Sequence, residues 1–144
     1  MNVSSIDISA SGMRAQRLRM DLIAGNLANV DTTSARRETR KTAEGVAFTK
    51  HVPYARKVAV FTAGPALGGV PTPAARVVED DAPFRSELNP SHPHADASGR
   101  VDHPNVHPIT EMVDMIAASR AYEANVSAMD TAKAMAAAAL RILA

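Results

Sequence analysis

The chain has 144 residues, a formal charge of +1 and no cysteine. That length fits one domain, and the near-neutral charge supplies no field to draw the chain onto nucleic acid or an anionic membrane. Disulfides and thiolate metal sites are excluded. No apolar run reaches the roughly 18 residues of a membrane span, and Asp7, Arg14, Arg17, Arg19 and Asp21 interrupt the apolar stretch that a cleaved signal requires.

At the N-terminal end, Ile6, Ser9, Met13, Gln16, Met20, Ile23, Leu27 and Val30 recur at alternating steps of three and four, with Leu18 and Leu22 widening the stripe. This spacing predicts an amphipathic helix within residues 1–31. Ser4 and Asp7 resemble a capping box and Val3 and Ile8 occupy hydrophobic-staple positions, so the helix is expected to start near Ser4. The run Asn29-Val30-Asp31-Thr32-Thr33 predicts an exit within two residues of Asn29, which can take a left-handed cap.

All nine prolines lie between Pro53 and Pro108, so the middle segment, 32–107, is expected to be non-helical. Residues 32–57 are basic and poor in apolar side chains, which predicts a solvated loop; nucleic-acid recognition would require the charge on one face with stacking aromatics, and no such partner is expected. Val58-Ala59-Val60-Phe61-Thr62 and Ala75-Arg76-Val77-Val78-Glu79 have strand composition and are separated by Gly and Pro signals, predicting a small β-hairpin. Residues 81–108 are expected to be extended, with a turn at Asp96-Ala97-Ser98-Gly99.

His92, His94, Asp96, Asp102, His103 and His107 crowd that last stretch, a ligand set suited to zinc or non-haem iron. Their spacing fits no helical two-histidine motif, and a turn-rich exposed segment is the stronger reading. No nucleotide loop or nucleophile elbow is present. We therefore expect no enzyme activity, catalytic residue, cofactor or metal.

The C-terminal segment, 108–144, carries the longer repeat: Met112, Met115, Ser119, Tyr122, Val126, Met129, Lys133, Ala136, Leu140 and Leu143. It predicts a helix about 50 Å long at about 1.5 Å per residue, a rod that overhangs its own core. Thr110 is a candidate N-cap, Glu111 and Asp114 complement the positive end of the dipole, and Arg141 the negative end. The predicted fold is mainly α: two long terminal helices in a coiled-coil-like pair around a small extended and β-hairpin middle, as one structural unit. The stretch Ala132-Lys133-Ala134-Met135-Ala136-Ala137-Ala138-Ala139 has little bulk, so such a pair buries little area at about 25 cal/mol per Å². Neighbouring chains are expected to supply the missing surface.

The segment Ala24-Gly25-Asn26-Leu27-Ala28-Asn29-Val30-Asp31-Thr32 resembles the N-terminal motif of bacterial flagellar rod and hook proteins. Asn89-Pro90-Ser91-His92-Pro93-His94-Ala95, Pro104-Asn105-Val106 and the run from Glu111 to Val126 are similar to the C-type proximal rod proteins of the flagellar basal body. Gly25, Asn89, His94 and His107 depart from the family pattern, where Ser, Asp, Asp and Asn are usual. The resemblance implies a structural subunit that passes unprocessed through the flagellar type III export apparatus and joins copies of itself and other rod proteins in a helical periplasmic drive-shaft.

The resemblance also implies an assembly interface on the two helical stripes. Met13, Met20, Ile23 and Leu27, with Met112, Met115, Tyr122, Val126, Met129 and Leu140, are expected to pack within and between subunits, methionine adapting to unequal neighbours. Asn26 and Asn29 are expected to cap the helix exit or bond a neighbouring backbone, and Arg120 and Glu123 to pair within the helix or across subunits. The alternatives are a soluble coiled-coil adaptor or a His-cluster metal-binding protein.

Overall fold

The computed structural model describes residues 5–41, 47–67 and 70–143. Helix α1 spans Ser5–Ala28 and helix α2 spans Pro108–Leu143, and between them lie strands β1 (Arg36–Lys41), β2 (Ala47–Val52), β3 (Lys57–Leu67), β4 (Val70–Glu79), β5 (Arg85–Leu88) and β6 (Arg100–His103). The strands form three separate two-stranded sheets, β1 with β2, β3 with β4 and β5 with β6. Among the described residues no helix is long and apolar enough to cross a membrane.

The exit of α1 falls one residue before Asn29, within the expected window. Its chemistry differs from the expectation: no described non-glycine residue has positive φ, so Asn29 is not a left-handed cap. Instead its Nδ2 donates to the Gly25 carbonyl at 2.8 Å, and its Oδ1 accepts from the Thr32 hydroxyl at 3.2 Å. The expected start signals at Val3 and Ser4 lie outside the described residues.

Helix α2 begins at Pro108, two residues before the expected cap at Thr110. Proline is favoured at a first helical position because its missing N–H has no intrahelical partner there. The His107 carbonyl accepts from Glu111 N–H at 3.0 Å to close the first turn. Glu111 stands in this first turn, where its charge was expected at the positive end of the dipole, and its side chain faces inward.

The basic segment contains a strand pair where a loop was expected. β1 and β2 are antiparallel, with Arg36 opposite Val52 and Arg37 opposite His51. Bonds from Ala35 N–H to the Val52 carbonyl and from Tyr54 N–H to the Thr32 carbonyl continue the pairing toward α1. The sequence Arg-Arg-Glu-Thr-Arg-Lys has no apolar alternation because a two-stranded ribbon can leave both faces wet.

β3 and β4 pair at the expected place, but each is about twice its predicted length and runs through prolines. Both strands of a two-stranded sheet have an open edge, where proline is tolerated. β5 and β6 form a third antiparallel pair, Arg85 opposite His103 and Leu88 opposite Arg100, inside the stretch expected to be merely extended.

The predicted turn at Asp96 is present. Its Oδ1 accepts from Ser98 N–H, the Ser98 hydroxyl and Arg100 N–H, and Gly99 takes φ +75°. A side chain at Gly99 would also meet Pro90 Cγ at 3.0 Å.

The chain divides into two compact units. One contains the described residues up to Ala24, Val58–Val78 and those from Met112 onward; the other contains Gly25–Lys57 and Glu79–Glu111. In the first, Gly12 faces Asn125 and Arg19 reaches Asp114 at 2.7 Å, so α1 and α2 meet antiparallel. Among the described residues the buried positions there are mostly small, Ser9, Ser11 and Ala15 on α1 and Ala118 and Ala132 on α2, with Ile23 the one large apolar side chain. In the second unit Val101 and Val106 share the interior with Asn26, Thr33, Asn105 and Glu111.

Candidate functional site

The second unit is organised around Asn26, which is fully enclosed, and Glu111, whose side chain is 1% exposed. Asn26 Nδ2 donates to the Lys57 carbonyl at 2.9 Å, and Asn26 Oδ1 accepts from Lys57 N–H at 2.9 Å. Nδ2 also reaches Glu111 Oε2 at 3.1 Å, and the Tyr54 hydroxyl donates to Oδ1 at 3.1 Å. The remaining Glu111 oxygen accepts from Arg56 Nε at 2.6 Å. An enclosed amide and carboxylate are tolerable because each is answered by a partner.

Arg56 extends this hub. Its Nη1 reaches Asp80 Oδ2 at 3.2 Å, and its backbone N–H donates to Asn105 Oδ1 at 2.9 Å. Asn105 Nδ2 in turn donates to the carbonyls of Asp80 and Ala82. Burial of the Arg56 guanidinium works against its charge, but the hydrogen bonds and charges of Glu111 and Asp80 outweigh it and hold its pKa above the ordinary value. Asp80 is held below the usual carboxylate value, first by the Ala82 N–H and then, against a desolvation cost, by Arg56. Tyr54 is raised by burial and then by the charges of Glu111 and Glu79.

The sequence reading named Asn26 and Glu111 but missed Tyr54, Arg56, Asp80 and Asn105 as their partners. These residues are scattered over the chain with no local spacing. The one signal was the resemblance itself, which singled out Pro104-Asn105-Val106.

The expected assembly residues divide by helix face. On α1, Ile23 is buried, while Met13, Met20, Leu27 and Asn29 are half-buried. On α2, Met115, Tyr122 and Met129 are half-buried on the same side as Glu111, Ala118 and Ala132. Met112, Arg120, Glu123, Val126 and Leu140 are exposed. The single seam drawn through Met112, Met115 and Leu140 is therefore split: at about 100° per residue Met112 stands at its outer edge, while Leu140 lies beyond Ala132, where every described position through Arg141 is exposed.

Two surfaces follow that the periodicity did not isolate. Ile109, Met112, Val113 and Ile116 are 80, 57, 62 and 61% exposed, and steps of three, one and three place them on one face of α2. They lie on the side of the helix opposite Glu111 and Ala118 at about 100° per residue. Beyond Ala132, every described position through Arg141 is exposed. The antiparallel contacts of Gly12 with Asn125 and Arg19 with Asp114 bring the described start of α1 level with about Ala132, which is why α2 overhangs from there.

The histidine-rich stretch does not gather as a metal reading requires. His94 meets His51 on one side and His92 on the other, while Asp96 closes a turn, His103 lies 3.9 Å from Glu87 and His107 is exposed. Among the described residues, no three His, Cys, Asp or Glu side chains come together in a group that could hold a metal ion.

Two family models match the chain. Residues 6–36 match the flagella basal body rod protein model, and residues 97–142 match the flagellar basal body rod FlgEFG protein C-terminal model. The flagellar basal-body rod protein FlgC of Bacillus subtilis is 37% identical over 96% of this chain and 95% of its own length. Those of Aquifex aeolicus and Salmonella typhimurium are each 38% identical over 90% of this chain and 88% of theirs. The matched segments contain α1, Asn26, the overhang and the exposed face of α2, and the chain belongs to the flagellar basal-body rod proteins, structural components of the rod.

Proposed function

We propose that this chain polymerises through its terminal helices, with the Ile109, Met112, Val113 and Ile116 face of α2 and the overhang beyond Ala132 packing against neighbouring subunits as coiled-coil-like contacts. The observation that carries this reading is the exposed face itself. Four large apolar side chains stand in water on one face of a helix whose opposite face is buried, and exposed apolar patches of this kind mark interaction sites. Arg120 and Glu123 continue along the same exposed side and suit ion pairs that set the register of a neighbour. Met13, Met20, Leu27, Met115, Tyr122 and Met129 then serve packing within the subunit first.

Small residues line the internal contact of α1 with α2, so that contact buries little bulk and leaves the helices dependent on neighbours. Contacts between unlike surfaces are heterologous and extend into an open helix where their rotation does not close, which suits a helical rod. The partners of this reading are copies of the chain and other rod proteins, reached through the flagellar export apparatus. Incorporation of an Ile116→Asp variant into purified hook–basal bodies tests it: the variant should fold and be excluded, and its normal incorporation would refute the reading.

A further inference from the structure

Three imidazoles from two distant segments meet in the second unit. His51 of β2 stacks on His94, with ring centroids 4.2 Å apart and planes 22° from parallel, and His92 meets His94 edge to face at 5.2 Å. Every one of the three Nδ1 atoms is engaged. That of His51 lies 2.8 Å from Ser34 Oγ, that of His94 lies 2.8 Å from Thr33 Oγ1, and that of His92 accepts from the His94 backbone N–H at 3.1 Å. Thr33 is buried. The Thr33 bond fastens the turn carrying His92 and His94 to the segment that follows α1, the stack fastens it to His51 and so to Ser34, and the His92 bond braces the turn itself.

The hydroxyl bonds tolerate either protonation state, since Ser34 and Thr33 can donate or accept. The third does not. A backbone N–H only donates, and a doubly protonated imidazole offers it no acceptor. The stack also tolerates one charge but not two, because like charges at this separation repel.

Among the described residues, the charged groups that shift His94 are of one sign. From β2 comes His51, from its own turn His92, and from β1 Arg37, which stands opposite His51 in the strand register. The nearby Asp96 carboxylate on the same segment is engaged with Ser98 and Arg100. Burial first, and then His51, His92 and Arg37, hold the His94 imidazole below its ordinary value of 6.5.

We propose that His51, His92 and His94 form an acid-released clasp, in which neutral His94 holds the 90–95 turn against Thr33 and the His51 ring and its protonation lets the turn go. Because the folded protein disfavours the charged form, the contribution of His94 is fully present above 6.5 and is lost as pH falls through its lower folded value. The clasp gives the segment following α1 a conformational response to acid that is independent of the apolar face of α2.

Imidazole carbon–proton spectra of the full-length protein, recorded from about pH 8 to about pH 5, test the clasp. His94 should titrate with a midpoint below 6.5, and the ring-to-ring contact of His51 with His94 should disappear with that same midpoint. A His94→Gln variant should lose the part of the fall in thermal midpoint that accompanies this titration, whereas His107→Gln at an exposed site should keep it. A His94 midpoint at or above 6.5, or His51–His94 contacts that survive complete titration, would overturn the proposal. The wild-type titration decides the matter even if His94→Gln fails to fold.

Discussion

The Asn26 carboxamide pairs with the Lys57 peptide as a neighbouring strand would, donating to its carbonyl and accepting from its N–H, both at 2.9 Å. The amide nitrogen still reaches Glu111 and the amide oxygen still accepts from Tyr54, so one side chain joins the end of α1, the start of β3 and the first turn of α2.

Replacing Asn26 by Ala strands the Lys57 peptide groups and one Glu111 oxygen in a buried site. Each buried polar group left without a partner costs about 1–3 kcal/mol, so a loss of roughly 3 kcal/mol in denaturant stability is expected. Asn26→Asp should be at least as harmful, since it removes the donor and sets a carboxylate against Glu111. Equilibrium urea unfolding of both variants checks this; a loss under about 1 kcal/mol for either would contradict the geometry.

The Arg56–Glu111 pair should behave as a buried pair. Arg56→Met alone leaves the Glu111 carboxylate enclosed without its cation, at a cost of about 3–5 kcal/mol. The double variant Arg56→Met with Glu111→Leu should recover much of that loss. Additive effects in this double-mutant cycle would mean that the pair is not coupled.

Asp80 sets an acid limit. Its folded pKa lies below the ordinary aspartate value of 3.8, so the stability it contributes is present above that value and lost as pH falls through the folded one. In Asp80→Asn, unfolding curves should therefore show a shallower loss of stability below about pH 4 than in the wild type. An unchanged acid limb would assign that sensitivity to other carboxylates.

Gly12 permits close approach of the helices. A Cβ there would lie 2.7 Å from Asn125 Oδ1, while Asn125 Nδ2 is held on the Ala121 carbonyl at 2.7 Å. Gly12→Ala should be near neutral in the wild type, its helix propensity gain of about 1 kcal/mol offset by displacement of Asn125. In an Asn125→Ala background the same change should stabilise by about that amount. Thermal melts of the four proteins report the difference.

The helices were legible because their apolar positions repeat locally, and both ends of the non-helical middle fell within a few residues of expectation. Which face of α2 is inward was not legible from bulk. The enclosed positions are Ala118, Ala132 and Glu111; the predicted stripe reaches this side through the half-buried Met115, Tyr122 and Met129, while Met112 and Val126 lie on its exposed edge. β1 was hidden for a related reason: its six residues are charged or polar, and only pairing with β2 makes them a strand. The hub of Asn26, Tyr54, Arg56, Asp80, Asn105 and Glu111 depends on long-range hydrogen bonds that no local spacing encodes.

A photo-crosslinking amino acid placed at position 113, on the exposed face of α2, tests the central claim most directly. In basal bodies purified from cells carrying this variant, irradiation should join the chain to a neighbouring rod subunit, and peptide mapping should place the adduct on a helix of that neighbour. A chain that is present in the basal bodies yet yields only monomer after irradiation would contradict the assignment of this face to assembly.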